Sequence, residues 1–160
     1  MSSSPLTARQ RRAAKRPGRK LLGLDLGERR IGVAVSDDTG LIATPINVID
    51  LRRGSLADIA RIALEQTVDA IVAGLPLNDA GDEGYQARDV RSQCAALSDL
   101  TPLPIVMWDE RLTTAIAEDI LAARGRPSRK RLAELDAVAA AVMLQSYLDS
   151  HPLERGASRS

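Results

Sequence analysis

The sequence has little of what builds metal cages, stacking platforms or disulfide frameworks. One cysteine, Cys94, in 160 residues excludes an internal disulfide and a four-cysteine zinc site. One histidine, His151, excludes HExxH and histidine-rich metal centres. Phenylalanine is absent, and the aromatic set is Tyr85, Trp108 and Tyr147, which argues against a module that stacks unpaired bases on aromatic faces. No apolar run approaches the roughly 20 residues a membrane-spanning helix needs. The start of the chain is basic and polar, without the apolar core of a secretory signal. The expectation is a cytoplasmic protein of one domain, long enough to bury a core without cross-links.

Charge is nearly balanced, with 22 basic and 21 acidic residues, but it is unevenly spread. Residues 1–20 carry seven basic side chains (Arg9, Arg11, Arg12, Lys15, Arg16, Arg19 and Lys20) and no acid, leaving a net of −6 on the rest. That opening stretch reads as a disordered basic extension: a solvated tail, a nucleic-acid-binding arm, or the product of a start codon placed too far upstream. Residues 21–149 read as the folded domain and 150–160 as a flexible tail.

Within the domain, LLGLDLG (21–27), IGVAVSD (31–37) and LIATPINVI (41–49) read as three meander strands. Glu28–Arg30 form a short hairpin link, and Pro45 marks an edge or a bulge in the third strand. Helical spacing follows over 55–67 with Ser55 as cap, then a buried strand over 69–76 and a polar loop over 77–84. A helix over 85–99 leads to a strand over 104–110, a helix capped by Thr113 or Thr114 and running to about 124, and a last helix over 131–149. The pattern βββ-α-β-α-β-α-α is that of an α/β domain with a mixed sheet and helices on its faces.

Three carboxylates stand where carboxylates are costly. Asp25 is in mid-strand, on the face of Leu21, Gly23 and Gly27; the two glycines leave open backbone for a ligand. Asp109 and Glu110 end an apolar strand, at the carboxyl edge where ligands of such sheets bind, and only one of the two points to a given face. Asp136 interrupts the apolar stripe Leu132, Ala139, Ala140, Met143 of the last helix. Each has an ordinary explanation, in a strand-end hydrogen bond, a helix cap or a helix-dipole effect. Converging acids raise one another's pKa, and divalent cations resolve that conflict. With no histidine and no usable cysteine, an oxygen-only site for Mg²⁺ or Mn²⁺ is the fitting one, and two such ions hydrolyse phosphodiesters. Arg124, Arg126, Arg129, Lys130 and Arg131, five basic residues in eight, would hold a phosphate backbone, unless they form only a solvated loop. Arg29, Arg30 and Asn78 are further candidates to face the substrate.

At these residues the chain resembles the YqgF family, also called RuvX, of Holliday-junction resolvase-like or pre-16S ribosomal RNA nucleases. The matching segments are GLDLGERRIGVAVSD (23–37), TPINVI (44–49), VAGLPLNDAGDEG (72–84), DERLTTAIAEDIL (109–121) and LDAVAAAVMLQSYLD (135–149). The resemblance implies a ribonuclease H-like fold with a five-stranded mixed sheet, Mg²⁺ or Mn²⁺ as cofactor, and maturation of the 5′ end of 16S rRNA. The family's acids fall on Asp25, Glu110 and Asp136. Asp25 is then expected to bridge two ions, Asp109 to support, and Arg111 and Thr114 to act on ligands or substrate. Asp79 stands where the family usually carries Met, and the helix near Cys94 lacks the family's frequent Phe. The expected partners are precursor ribosomal RNA and ribosomal particles, with the chain a monomer or weak homodimer. Rival readings are a dimeric resolvase of branched DNA, a non-catalytic RNA- or ribosome-associated factor, and an ATP-binding protein of the actin–sugar kinase type, for whose two lobes the chain is short.

Overall fold

A computed structural model describes residues 20–110 and 129–151. The three meander strands form as expected: β1 (Leu21–Leu26), β2 (Arg30–Ser36) and β3 (Ala43–Asp50). Helix α1 (Leu56–Glu65), strand β4 (Ala70–Leu75), helix α2 (Tyr85–Ser98), strand β5 (Ile105–Asp109) and the long helix α3 (Arg129–Ser150) follow. The five strands make one sheet in the order β3-β2-β1-β4-β5. The β1–β2 and β2–β3 pairs are antiparallel, and the β1–β4 and β4–β5 pairs are parallel. The carboxyl ends of β1, β4 and β5 therefore lie at one end of the sheet, with the β1–β2 turn and the loop after β4.

Alternation along the strands builds two cores, one on each face. Leu22, Leu24 and Leu26 point to α1 and α2, where Ile59, Ile62, Val90 and Leu97 meet Ile71 and Ala73. Leu21, Ala34, Ala70 and Val72 point the other way, to Ala140, Met143, Leu144 and Leu148 of α3. Fully burying a leucine such as Leu24 contributes about 2 kcal/mol, so each face is sealed by several such increments. Asp25 belongs by parity to the α3 face, and this decides what it can meet.

Pro45 sits on the edge strand β3, opposite a register shift at Val33/Ala34, so its missing N–H costs no ladder bond. Ser55 caps α1 in a reciprocal box with Asp58. The last helix begins at Arg129, two residues before the expected 131, so Arg129, Lys130 and Arg131 lie in its first turn rather than in a loop. The expected helix after Thr113–Thr114 and the terminal segments lie outside the described residues.

Candidate active site

Asp25 is near the carboxyl end of β1, directly opposite Gly32 of β2. On its other side Leu24 pairs with Ala73, which brings Gly74 of β4 alongside. The buried acid thus has a glycine on each flank. These two glycines are what the other two acids need. A Cβ on Gly32 would collide with the backbone carbonyl of Asp136, so α3 reaches the sheet there only because the side chain is missing. A Cβ on Gly74 would collide with the Glu110 carboxylate, which lies over that position. Glu110 is anchored one residue past β5 by its own N–H, which donates to the Leu75 carbonyl at 3.3 Å.

The glycines singled out from the sequence, Gly23 and Gly27, do not leave open backbone for a ligand. Leu144 of α3 covers Gly23, and the Arg30 carbonyl closes the space at Gly27, whose N–H it accepts at 3.0 Å. Gly32 and Gly74 were the informative pair. Their signal was present, since each interrupts a β-branched, buried strand (IGVAV and AIVAGL), where glycine marks a close approach.

Asp25 and Glu110 are held above the usual carboxylate range. Burial pushes the Asp25 carboxyl up to about 6, and the Asp136 charge adds to it. Burial pushes Glu110 up to about 7, with further contributions from the charges of Asp25 and then Asp109. Among the described residues no hydrogen-bond donor serves the Asp25 carboxylate. Asp136 is paired instead with Arg30, whose Nε donates to Oδ2 at 2.7 Å. Among the described residues no three acid, thiol or imidazole groups stand ready as they are to hold one ion. The chemistry nevertheless fits a hard divalent cation: the donors are oxygens only, like-charged, two of them desolvated, and one without a hydrogen-bond donor among the described residues.

Arg29 is exposed, and its backbone carbonyl accepts from the Leu51 N–H at 2.7 Å, tying the β1–β2 turn to the segment after β3. The Asn78 Oδ1 accepts from the N–H groups of Ala80 and Asp82 at 3.0 and 2.8 Å, so this side chain shapes the loop after β4. Gln93 of α2 was not foreseen: its Nε2 donates to the Gly27 carbonyl at 3.2 Å and to Asp89 at 2.9 Å, pinning the end of β1 from the opposite face. Arg111, Thr114, Arg124 and Arg126 lie outside the described residues. Trp108 packs edge-on to Tyr147 with ring centroids 5.4 Å apart and lies against the α3 core, not as a platform.

Residues 19–150 match the RuvX family, described as Holliday junction resolvase. A relative from Rhodobacter capsulatus, named "Putative pre-16S rRNA nuclease", is 48% identical over 132 residues, covering 81% of this chain and 82% of its own. A Geobacillus kaustophilus relative of the same name is 45% identical over 135 residues, covering 82% of this chain and 98% of its own. Among solved structures, T. thermophilus RuvC in complex with Holliday junction substrate superposes with a TM-score of 0.51 at 12% identity, over 84% of this chain and 96% of that one. The fold is therefore of the ribonuclease H-like class found in nucleic-acid hydrolases. The chain belongs to the RuvX family of nucleases.

Proposed function

We propose that this nuclease is divalent-cation-dependent, with Asp25, Glu110 and Asp136 as ion ligands, and that it acts in the cytoplasm on precursor 16S ribosomal RNA. The observation carrying this reading is the buried Asp25 between Gly32 and Gly74, coupled electrostatically to an acid on each side. Mg²⁺ or Mn²⁺, when bound, supplies activation of water and neutralisation of charge at the phosphodiester. The chain's own part is to hold three oxygen donors on β1, the end of β5 and α3, with Asp25 and Glu110 desolvated. Arg29, the first turn of α3 and the preceding basic residues Arg124 and Arg126 would hold the flanking backbone, giving salt-sensitive binding. The RNA substrate comes from the names of relatives at 45–48% identity.

Branched DNA is the second reading, favoured by the description of the matching family. Incubating the purified protein with a 5′-extended 16S precursor and with a four-way DNA junction, each with Mn²⁺ or Mg²⁺, separates the two. The expected outcome is cleavage of the RNA and its loss in Asp25→Asn. Cleavage of the junction alone would replace the substrate assignment. Unchanged metal-dependent cleavage by Asp25→Asn would remove Asp25 from the mechanism.

A further inference from the structure

Arg30 pairs with an acid whose backbone is already placed by other contacts. The main chain of Asp136 is fixed by its contact with Gly32, so the helix does not need the Arg30–Asp136 pair to stay in place. The pair itself is partly exposed, with the Arg30 side chain at 46% and Asp136 at 28% of full accessibility. Exposed pairs of this kind shift an equilibrium by no more than about fivefold. The interaction is therefore weak enough to exchange. It nevertheless occupies an oxygen of the acid that adds to the electrostatic stress on Asp25.

The position of Arg30 also suits a second partner. It opens β2 straight after the two-residue turn, at the end of the sheet where the acids gather, and Arg29 precedes it. A guanidinium stays charged at every working pH, and its planar set of donors matches phosphate oxygens. With a divalent ion beside Asp136, the guanidinium would lose its counter-charge there and be free to pair elsewhere.

We propose that Arg30 is an internal counter-cation, which occupies Asp136 until a divalent ion takes that carboxylate and then binds a phosphate of the nucleic acid. The proposal rests on the reading of Asp25, Glu110 and Asp136 as ion ligands. It makes ion and nucleic acid mutually reinforcing, because each favours the state in which Arg30 has left Asp136.

The test is a calorimetric titration of the free protein with Mn²⁺, together with binding of a labelled 16S precursor RNA in Ca²⁺. Arg30→Gln is expected to bind Mn²⁺ about three- to fivefold more tightly than the wild type, the competitor being gone. The same variant is expected to bind the RNA at least threefold more weakly, with a salt dependence lower by about one phosphate contact. Arg30→Lys keeps the charge but loses the planar Nε donor, and is expected to gain about twofold in Mn²⁺ affinity; it also serves if the glutamine variant folds poorly by circular dichroism. Unchanged or weaker Mn²⁺ binding by both variants would overturn the proposal and make Arg30 a structural brace. Asp25→Asn separates the two levels. If it lowers Mn²⁺ affinity while the Arg30 variants do not raise it, only the counter-cation role fails. If it leaves Mn²⁺ affinity intact, the ion site lies elsewhere and both readings fail.

Discussion

Gly32 and Asp136 meet backbone to backbone, with no room for a methyl group between the strand and the Asp136 carbonyl. The helix carries one of the three acids, so the closeness of this approach sets how near that acid comes to Asp25. Gly32→Ala is expected to destabilise the fold by about 3 kcal/mol or more, because neither a central strand nor a helix backbone can yield locally. For a chain of this length that is a fall of roughly 6–12 °C in melting temperature. A thermal melt showing wild-type stability would mean that the helix can lift off the sheet at little cost.

Gly74 answers the same steric question with a different neighbour. Its missing Cβ makes room for the far end of the Glu110 side chain, which can rotate away. Gly74→Ala is therefore expected to fold, with a loss of about 1 kcal/mol or less, and to displace the Glu110 carboxylate. Mn²⁺ affinity and cleavage should fall at least tenfold while the circular dichroism spectrum stays the same. Parallel losses of fold and activity would contradict this separation.

Helix α1 offers a prediction at each end. Ser55 accepts from Ala57 N–H at 3.2 Å and Asp58 returns a contact to Ser55 N–H at 2.8 Å, so Ser55→Ala should cost about 1 kcal/mol. Just past the other end Thr67 is held at φ 53°, a left-handed conformation that a β-branched residue resists. Thr67→Gly should stabilise the protein by about 0.5–1 kcal/mol, since among the described residues the hydroxyl it loses bonds only to the neighbouring Gln66 carbonyl. Urea denaturation of the two variants should move the midpoint in opposite directions.

The order of strands and helices was legible because two periodicities are clean. β1 alternates leucine with Leu21, Gly23 and Asp25, and the loops are punctuated by Gly40 and Gly81, both at positive φ. The missing donor of Pro45 points to an edge or a bulge, and the structure has both: β3 is an edge strand, with a register shift beside Pro45. Asp25, Glu110 and Asp136 stood out as costly, but their meeting depends on register, and register is a long-range property that no local window contains. That is why Gly23 and Gly27, neighbours of Asp25 in sequence, drew attention, while Gly32 and Gly74, its neighbours across the sheet, did not. The Gln93 bond to Gly27 is hidden for the same reason: a polar residue on α2 gives no local sign of reaching over the end of β1.

Proton linkage follows from the same three acids. The folded Asp25 carboxyl lies at about 6 against an ordinary 3.8, and Glu110 at about 7 against 4.5. Both are raised, so the folded protein binds these protons more tightly than the unfolded chain does. The contribution of these two groups is then most favourable below about pH 4, where both states are protonated at them, and it falls as pH rises towards 7. Each group accounts for on the order of 3 kcal/mol across that range. In chelator, the melting temperature should therefore drop between pH 5 and pH 8, and Asp25→Asn or Glu110→Gln should flatten the drop. Mn²⁺ at pH 8 should restore stability by binding the folded state alone, and should do so much less at pH 5, where protons compete for the same oxygens. A melting temperature in chelator that rises from pH 5 to pH 8, or Mn²⁺ stabilisation of equal size at both values, would mean that these carboxylates are not the site at which the cation is held.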